Sequence, residues 1–294
     1  MTQTGQRVRH RVVKHVTDVA VKVFRRALAI GETPEGWLAI EGPILFNEAV
    51  KAGGYLEGAE GTGPHPEATG LKIHSLIVTE RQAEKLAATL DRLPRDIELM
   101  MIPEPLFERV AQTETPQGVA ALVELPERNL DALLAGPDAL LVVACGLQDP
   151  GNLGSVLRSA HALGASALLT VSDTVSPFNP KAVRSSAGAI LYLPVFAGLN
   201  SASLLGRLHT LGVRILAADR EGPIPITQAD LRGPVAILIG REASGLDESV
   251  MRMADARVAI PIRGGTDSLN AAAAGSILLY EAARQRGFGF HEPV

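Results

Sequence analysis

Residues 260–281 read IPIRGGTDSLNAAAAGSILLYE: the end of an apolar strand, a basic glycine-rich loop, and the polar string Ser268-Leu269-Asn270 before an alanine-rich helix. Two earlier segments follow the same order of strand, polar loop and helix: DPGNLGSVLRSAHALG (residues 149–164) and IGREASGLD (residues 239–247). In a parallel sheet all three loops would emerge at one edge, where open α/β folds bind their ligands. The sequence therefore predicts a single site built from three loops.

The C-terminal half of the chain predicts the sheet that would carry these loops. Six apolar runs alternate with helical patterns, at residues 140–144, 168–171, 191–195, 213–217, 235–239 and 258–260. Their near-continuous apolar character is typical of strands covered on both faces, and hence of a parallel sheet. No Gly-x-Gly-x-x-Gly follows the first of these strands. A pyrophosphate cradle of the dinucleotide-binding kind is therefore not expected.

Together the three loop segments resemble the three motifs of the SpoU/TrmH family of S-adenosylmethionine-dependent RNA ribose 2'-O-methyltransferases, which belong to the SPOUT superfamily. The resemblance is strong over residues 139–286 and weaker over residues 35–125. It implies an α/β parallel-sheet domain with a deep trefoil knot, S-adenosylmethionine as cofactor, RNA as substrate and a homodimer. The knot rests on the resemblance alone, because general topology rules treat knots as rare exceptions.

The resemblance also implies which residues form the site. The polar catalytic set would be Asn152, Arg158, Glu242, Ser268 and Asn270. The cofactor would be bound at Gly240, Ile260 and Leu269, largely through main-chain groups. In the family, the arginine that Arg158 matches is proposed to activate the ribose hydroxyl. Because a free arginine resists deprotonation, we expect Arg158 to bind the target phosphate and stabilise the developing alkoxide, while the other four residues orient it and the ribose.

Simple structural roles account for several of these residues when each is taken alone. The alternatives are helix N-caps at Asp149 or Asn152 and at Asp267 or Ser268, and a surface ion pair between Arg241 and Glu242. Gly240 is expected to permit a backbone approach that a Cβ atom would forbid. The simultaneous match of three motifs favours the functional interpretation.

Residues 1–130 are predicted to form a separate small α/β domain, residues 126–137 a linker, and residues 131–294 the methyltransferase domain. The segments LAIEGPILFNEA (residues 38–49) and TPQGVAALV (residues 115–123) resemble the substrate-binding domain of the family, which is similar to small RNA-binding ribosomal proteins. The alternative is that Glu41, Pro43 and Gly118 only shape turns.

Two basic segments are candidates for RNA contact. Residues 1–30 hold seven Lys or Arg and one acidic residue. The helical spacing of Val12, Val16, Val19 and Val23 predicts a helix with these charges outside, which suits either phosphate contact or a solvated face. Residues 176–190 (SPFNPKAVRSSAGAI) are predicted to place Lys181 and Arg184 on an RNA-facing helix.

Composition excludes several other classes of protein. The single cysteine, Cys145, allows no intrachain disulfide and suits a reducing cytoplasm. Its apolar neighbours predict a buried strand residue and not a catalytic thiol. No apolar run approaches the roughly 18 residues of a membrane span, no signal peptide is apparent, and the seven His residues show no metal-ligand pattern. We therefore expect a cytoplasmic, metal-free methyltransferase acting on ribosomal RNA. The alternatives are a transfer RNA methyltransferase and a noncatalytic RNA-binding or ribosome-assembly protein on the same scaffold.

Overall fold

The computed structural model describes residues 10–55, 68–263 and 268–287. The chain divides into two units, Met1–Glu127 and Arg128–Val294, each with its own sheet. The division falls a few residues before the boundary at residue 130 that the sequence predicts. The helix Leu130–Leu134, expected within a linker, belongs to the second unit and buries Leu134 in its core.

The first unit contains a five-stranded mixed sheet. In chain order its elements are β1 (His10–Val12), α1 (Val19–Ile30), β2 (Leu38–Glu41), α2 (Pro43–Ala52), β3 (Lys72–Val78), α3 (Glu80–Lys85), α4 (Ala87–Leu90), β4 (Glu98–Met101), α5 (Glu104–Glu108) and β5 (Val119–Glu124). The strand order is β1-β4-β3-β5-β2, in which β4 pairs in parallel with β1 and β3, and β5 pairs antiparallel with β2 and β3. Helices α3 and α4 are separate because Leu86 leaves the helical region with φ −98° and ψ 7°.

Helix α1 buries a different face from the one that the valine spacing predicts. The four valines at positions 12, 16, 19 and 23 are all exposed, and the first of them lies in β1. The buried face is formed by Val21, Phe24, Ala27 and Leu28. The chain becomes helical only after Asp18, whose carboxylate accepts the Ala20 N–H at 2.9 Å. On the buried face, Phe24 and Leu28 cover more apolar surface than valine would. The basic residues of this helix remain exposed, as predicted.

Glu41 has a structural role. Its carboxylate accepts the main-chain N–H of Gln112 at 2.8 Å and the hydroxyl of Thr113. It therefore holds the segment that leads into β5, which is the turn-shaping role that the sequence left open.

The second unit contains a seven-stranded parallel sheet covered by helices. Its elements are α6 (Leu130–Leu134), β6 (Leu140–Ala144), α7 (Pro150–Ala162), β7 (Ala167–Val171), α8 (Pro180–Ser185), β8 (Val195–Leu199), α9 (Ser201–Thr210), β9 (Arg214–Ala218), β10 (Ile224–Pro225), β11 (Val235–Ile239), α10 (Glu248–Met251), β12 (Ala256–Ala259) and α11 (Ala271–Gln285). The strand order is β10-β12-β9-β11-β6-β7-β8, and every pair is parallel. The central strands β6, β7 and β11 are buried throughout, which confirms the parallel-sheet prediction.

One predicted strand of this sheet is wrong. Residues 191–195 were expected to be extended, but Ala189–Leu191 form a 3-10 turn that contacts α7, and β8 begins only at Val195. Ala187 and Gly188 both have positive φ, which turns the chain before this segment. Its apolar residues are buried because they pack against a helix. The true strand is a partly exposed sheet edge, so its sequence lacks the continuous apolar character of its neighbours.

Two glycines inside helices of this unit should respond oppositely to an added methyl group. A Cβ at Gly154 would collide with the Ala182 carbonyl oxygen and lie 2.7 Å from the Ser185 Cβ, whereas a Cβ at Gly206 meets nothing within 4 Å. Gly154→Ala should lower the free energy of unfolding by about 1–3 kcal/mol. Gly206→Ala should raise it by about 0.5–1 kcal/mol, because alanine loses less backbone entropy than glycine in a helix. Urea unfolding of both variants measures the difference, and equal effects would contradict the close packing of α7 on α8.

Candidate active site

The loops after β6, β11 and β12 leave the same edge of the parallel sheet. Strands β6 and β11 pair in register up to Ala144 and Ile239, so the loops of the first two motifs begin side by side. Strand β12 is separated from β11 by β9. Asn270, at the start of α11, nevertheless lies close enough to hydrogen-bond with Asn152 of the first motif.

The side-chain amide of Asn152 connects all three motifs. Its Nδ2 donates to Glu242 Oε1 at 2.8 Å, and its Oδ1 accepts from Asn270 Nδ2 at 2.9 Å. Its main-chain N–H donates to the carboxylate of Asp149, the N-cap of α7, at 3.0 Å. The capping role therefore belongs to Asp149, and the Asn152 side chain is left to join the loops.

Asn270 is the N-cap of the last helix. Its Oδ1 accepts the N–H groups of Ala272 and Ala273 at 2.9 and 3.2 Å, while its Nδ2 donates to Asn152. The alternative caps are not supported, since Ser268 does not cap α11 and Asp267 lies outside the described residues. An asparagine, a weak helix former, is accommodated because it precedes the helix.

The second motif is held by a compact turn. Arg241 and Gly245 exchange two main-chain hydrogen bonds of 2.9 and 3.0 Å, and a Cβ at Gly240 would overlap the main chain of Gly245. The close approach expected at Gly240 is therefore an approach between Gly240 and the main chain of Gly245, within the same turn. The alternative ion pair between Arg241 and Glu242 is wrong: Arg241 pairs with Asp173 and with Asp247, to which its Nη1 donates at 2.6 Å. Glu242 therefore does not pair with Arg241, and its carboxylate accepts a hydrogen bond from Asn152.

A cavity of about 400 Å³ opens at the ends of β9, β11 and β12. Five of the predicted residues line it: Gly240, Glu242, Ile260, Ser268 and Leu269. Its walls combine aliphatic side chains, such as Ile239 and Leu278, with polar groups of the loops. A cavity of this size and mixed character matches a small-molecule site. Asn152 and Asn270 are joined to it through Glu242.

Main-chain groups in this cavity remain available to a ligand. Among the described residues, none hydrogen-bonds to the main chain of Ile260 or Leu269. Unpaired peptide groups that are partly buried require another partner, such as water or a ligand. Both positions were predicted to act through their backbone, and their geometry is compatible with that role.

The sequence did not indicate the fourth loop of the cavity. Residues 219–221, which follow β9, contribute Asp219, Arg220 and Glu221 to its lining. Asp219 is oriented by Arg257, whose Nε donates to it at 2.7 Å. The sequence signal that could have indicated this loop is the charged string of residues 219–221 after an apolar strand. The other loops of the site follow the same pattern.

Arg158 lies apart from the Asn152 cluster. It is six residues further along α7, so it is displaced by about 9 Å along the helix axis and points about 120° away around it. Its side chain is exposed, does not line the cavity, and has no hydrogen-bond or ion-pair partner among the described residues. Of the predicted catalytic set, it is the member that neither lines the cavity nor hydrogen-bonds with a residue that does.

The predicted RNA-facing lysine has a partner within the protein. Lys181 Nζ contacts Asp149 Oδ2 at 2.8 Å. This hydrogen bond, reinforced by the Asn152 N–H, lowers the pKa of Asp149 below its ordinary value. Lys181 thus keeps the capping carboxylate of α7 ionised.

Comparison with known proteins identifies the family of this chain. The SpoU rRNA Methylase family model matches residues 139–280. The 23S rRNA (uridine(2479)-2'-O)-methyltransferase of Streptomyces viridochromogenes is 34% identical over 212 residues, which cover 70% of this chain and 74% of that protein. The chain belongs to the SpoU rRNA methylase family. No helix in the described parts of this SpoU chain has the length and apolar character needed to cross a membrane.

Two further proteins are similar to this chain over more than half of its length. The 23S rRNA (guanosine(2553)-2'-O)-methyltransferase of Bacillus subtilis is 33% identical over 64% of this chain and 75% of its own. The crystal structure of an AdoMet-bound rRNA methyltransferase from Sinorhizobium meliloti superposes with a TM-score of 0.75 and 28% identity, covering 93% of this chain and 97% of that one. The likeness to this solved methyltransferase therefore includes residues of both units, whereas the family model matches residues of the second unit.

Cys145 of this SpoU chain should be unreactive in the folded state. Burial, supported by the charges of Asp173 and Asp247, raises the pKa of its thiol from 9.0 to about 12. At pH 8 this leaves about a thousandfold less thiolate than an exposed thiol would have. An uncharged aromatic disulfide should therefore modify the native protein at least about a thousandfold more slowly than the protein in guanidinium chloride. Similar rates would contradict the burial of this strand end.

Proposed function

We propose that this protein transfers a methyl group from S-adenosylmethionine to a ribose 2'-hydroxyl of ribosomal RNA. The observation that carries the proposal is the convergence of Asn152, Glu242 and Asn270 beside a cavity of ligand size. The names of the two ribosomal RNA methyltransferases that resemble the chain support the same reaction. Their names give uridine and guanosine targets, so the resemblance does not indicate the nucleotide.

The cavity suits S-adenosylmethionine. Aliphatic side chains would cover the adenine, and the unpaired main-chain groups of Ile260 and Leu269 would hydrogen-bond to the adenosine portion. Gly240 would allow its own turn to close beside the cofactor. When bound, S-adenosylmethionine supplies a methyl group already activated by a sulfonium, so the protein has no need to generate an electrophile.

The polar residues would prepare the ribose. Methyl transfer requires the 2'-oxygen to be held in line and to lose its proton, which is largely a matter of positioning. Glu242, held by the Asn152 amide, and Ser268 offer hydrogen-bonding groups at the cavity for this purpose. Arg158, whose guanidinium has no partner among the residues that the structure describes, would bind the target phosphate and stabilise negative charge on the oxygen.

The same proposal includes the role of the N-terminal unit, the trefoil knot and the location in the cell. The N-terminal unit would bind the RNA substrate, with Lys22, Arg25 and Arg26 exposed on α1 to reach phosphates. The C-terminal domain would carry the trefoil knot of the family, and the protein would act in the cytoplasm.

We also propose a homodimer that uses α11. Gly275 of this helix packs within the chain, where an added Cβ would lie 2.9 Å from Ile239 Cδ1. Ala273, Ile277 and Tyr280 are spaced along one exposed face of the helix. Burial of this apolar face against a second copy would stabilise the pair.

The reaction can be tested with separate RNA pools. Purified protein is incubated with methyl-labelled S-adenosylmethionine and either ribosomal or transfer RNA, and the RNA is digested and analysed by mass spectrometry. Label is expected in one 2'-O-methylated nucleoside of ribosomal RNA. Label confined to transfer RNA would change the substrate, and the absence of both cofactor binding and label would support the noncatalytic alternative.

Arg158→Ala should abolish methyl transfer while binding of S-adenosylmethionine, followed by calorimetry, remains unchanged. The reason is that Arg158 lies outside the cavity and would act on the RNA. Loss of a preorganised charge at a reacting oxygen typically reduces the rate by about a hundredfold or more. Arg252→Ala, which removes an exposed arginine paired with Glu248, is the control. Unchanged turnover of the Arg158 variant would remove this residue from the catalytic set.

A further inference from the structure

The N-terminal unit contains a second cavity of about 380 Å³. It lies where the segments that follow β3 and precede β5 meet, and the Thr79 N–H joins these segments by donating to the Gly118 carbonyl at 2.8 Å. Phe107, Pro43 and Pro116 provide apolar lining. Its volume lies within the range of small-molecule sites.

The side chain of Gln82 marks this cavity as a binding site. It lines the cavity, is 92% buried, and its amide has no hydrogen-bond partner among the described residues. No fully buried side-chain nitrogen or oxygen in the described residues lacks a partner, so the amide of Gln82 is not sealed in the core and faces the opening. A ligand that enters the cavity would therefore meet an amide whose hydrogen-bonding groups are not used by the described residues of the protein.

The glycine at position 118 keeps the cavity open. Its φ of +76° is favourable only for glycine, and a Cβ there would collide with the Thr79 hydroxyl and lie 3.2 Å from the Gln82 Cβ. Any larger residue would therefore displace the side chains that form the wall. This explains in physical terms the TPQGVAALV segment singled out in the sequence.

The charges around the cavity favour a nucleobase inside it and phosphates outside it. Arg81 and Lys85 are exposed at the rim and have no ion-pair partner among the described residues. Glu104 and Glu108 also line it and would repel a phosphate. Carboxylates and amides can instead accept and donate hydrogen bonds along the edge of a base.

We infer that this cavity binds one unstacked base of a single-stranded RNA segment. The inference rests on the proposed function, because it assigns the cavity to the RNA substrate. The Gln82 and Gln117 amides hydrogen-bond the edge of the base, Pro43 and Pro116 contact its apolar faces, and Arg81 and Lys85 contact flanking phosphates. This is the usual mode of sequence-dependent RNA recognition, in which bases are splayed out of the stack.

The test uses side-chain amide resonances of the full-length, ¹⁵N-labelled protein. The Gln82 resonance is assigned by its absence in Gln82→Glu. Each of the four ribonucleoside 5'-monophosphates is titrated, with ribose 5-phosphate as the probe that lacks a base. At least one nucleotide should shift the Gln82 resonance, and ribose 5-phosphate should not.

Three variants separate recognition of a base from nonspecific attraction. Gln82→Glu and Gln117→Ala should weaken nucleotide binding by about tenfold, as expected for loss of a hydrogen bond in a desolvated site. Gln117 is exposed, so its replacement does not endanger the fold. Arg92→Ala removes an exposed arginine that does not line the cavity and should leave the affinity unchanged.

Three results would overturn the inference: no shift with any nucleotide, an equal shift with ribose 5-phosphate, or unchanged affinity in both glutamine variants. Calorimetry with S-adenosylmethionine on the same samples tests the proposed function separately. Retained cofactor binding together with an unresponsive Gln82 would refute only the base site. Absence of cofactor binding with a responsive Gln82 would refute only the methyltransferase assignment.

Discussion

The two hydrogen bonds of the Asn152 amide are the interaction on which the candidate active site depends. They join residues that are 90 and 118 positions away in the chain, one donated to Glu242 and one accepted from Asn270. An amide has a donor side and an acceptor side, so both bonds form only when the two partners lie on the correct sides. Aspartate would lose the donor and place a second carboxylate beside Glu242. The chemistry of one side chain thus sets the relative positions of three loops.

Asn152, Asn270 and the turn beside Glu242 are also held by hydrogen bonds within their own segments. Asn270 is fixed by capping α11, and Asn152 by its place at the capped start of α7. The turn that presents Glu242 is closed by main-chain bonds and by the ion pairs of Arg241. The residues that Asn152 joins are therefore positioned by the protein itself, which reduces the entropy that they would lose on binding a ligand.

Much of this arrangement could be predicted from the sequence, because its signals are local. The central strands β6 and β11 have the predicted bounds, since continuous apolar runs between polar turns allow few alternatives. The prediction was wrong where the local structure depends on contacts with residues that are distant in the sequence. Residues 189–193 are apolar because they pack on α7, and α1 buries Phe24 in place of the evenly spaced valines. Arg241 pairs with Asp247 of its own motif and with Asp173 of another segment. The cavity around Gln82 arises from three-dimensional proximity that no spacing encodes.

The measurement that tests the central claim most directly is a double-mutant cycle on S-adenosylmethionine affinity. Glu242→Ala removes one partner of Asn152, and Asn270→Ser removes the other while keeping a good helix cap. If Asn152 joins the loops, breaking either bond already frees its amide, so the two losses should be less than additive by about 0.5–3 kcal/mol in calorimetric titrations. Additive losses would contradict the account, and so would an absence of cofactor binding by the unaltered protein.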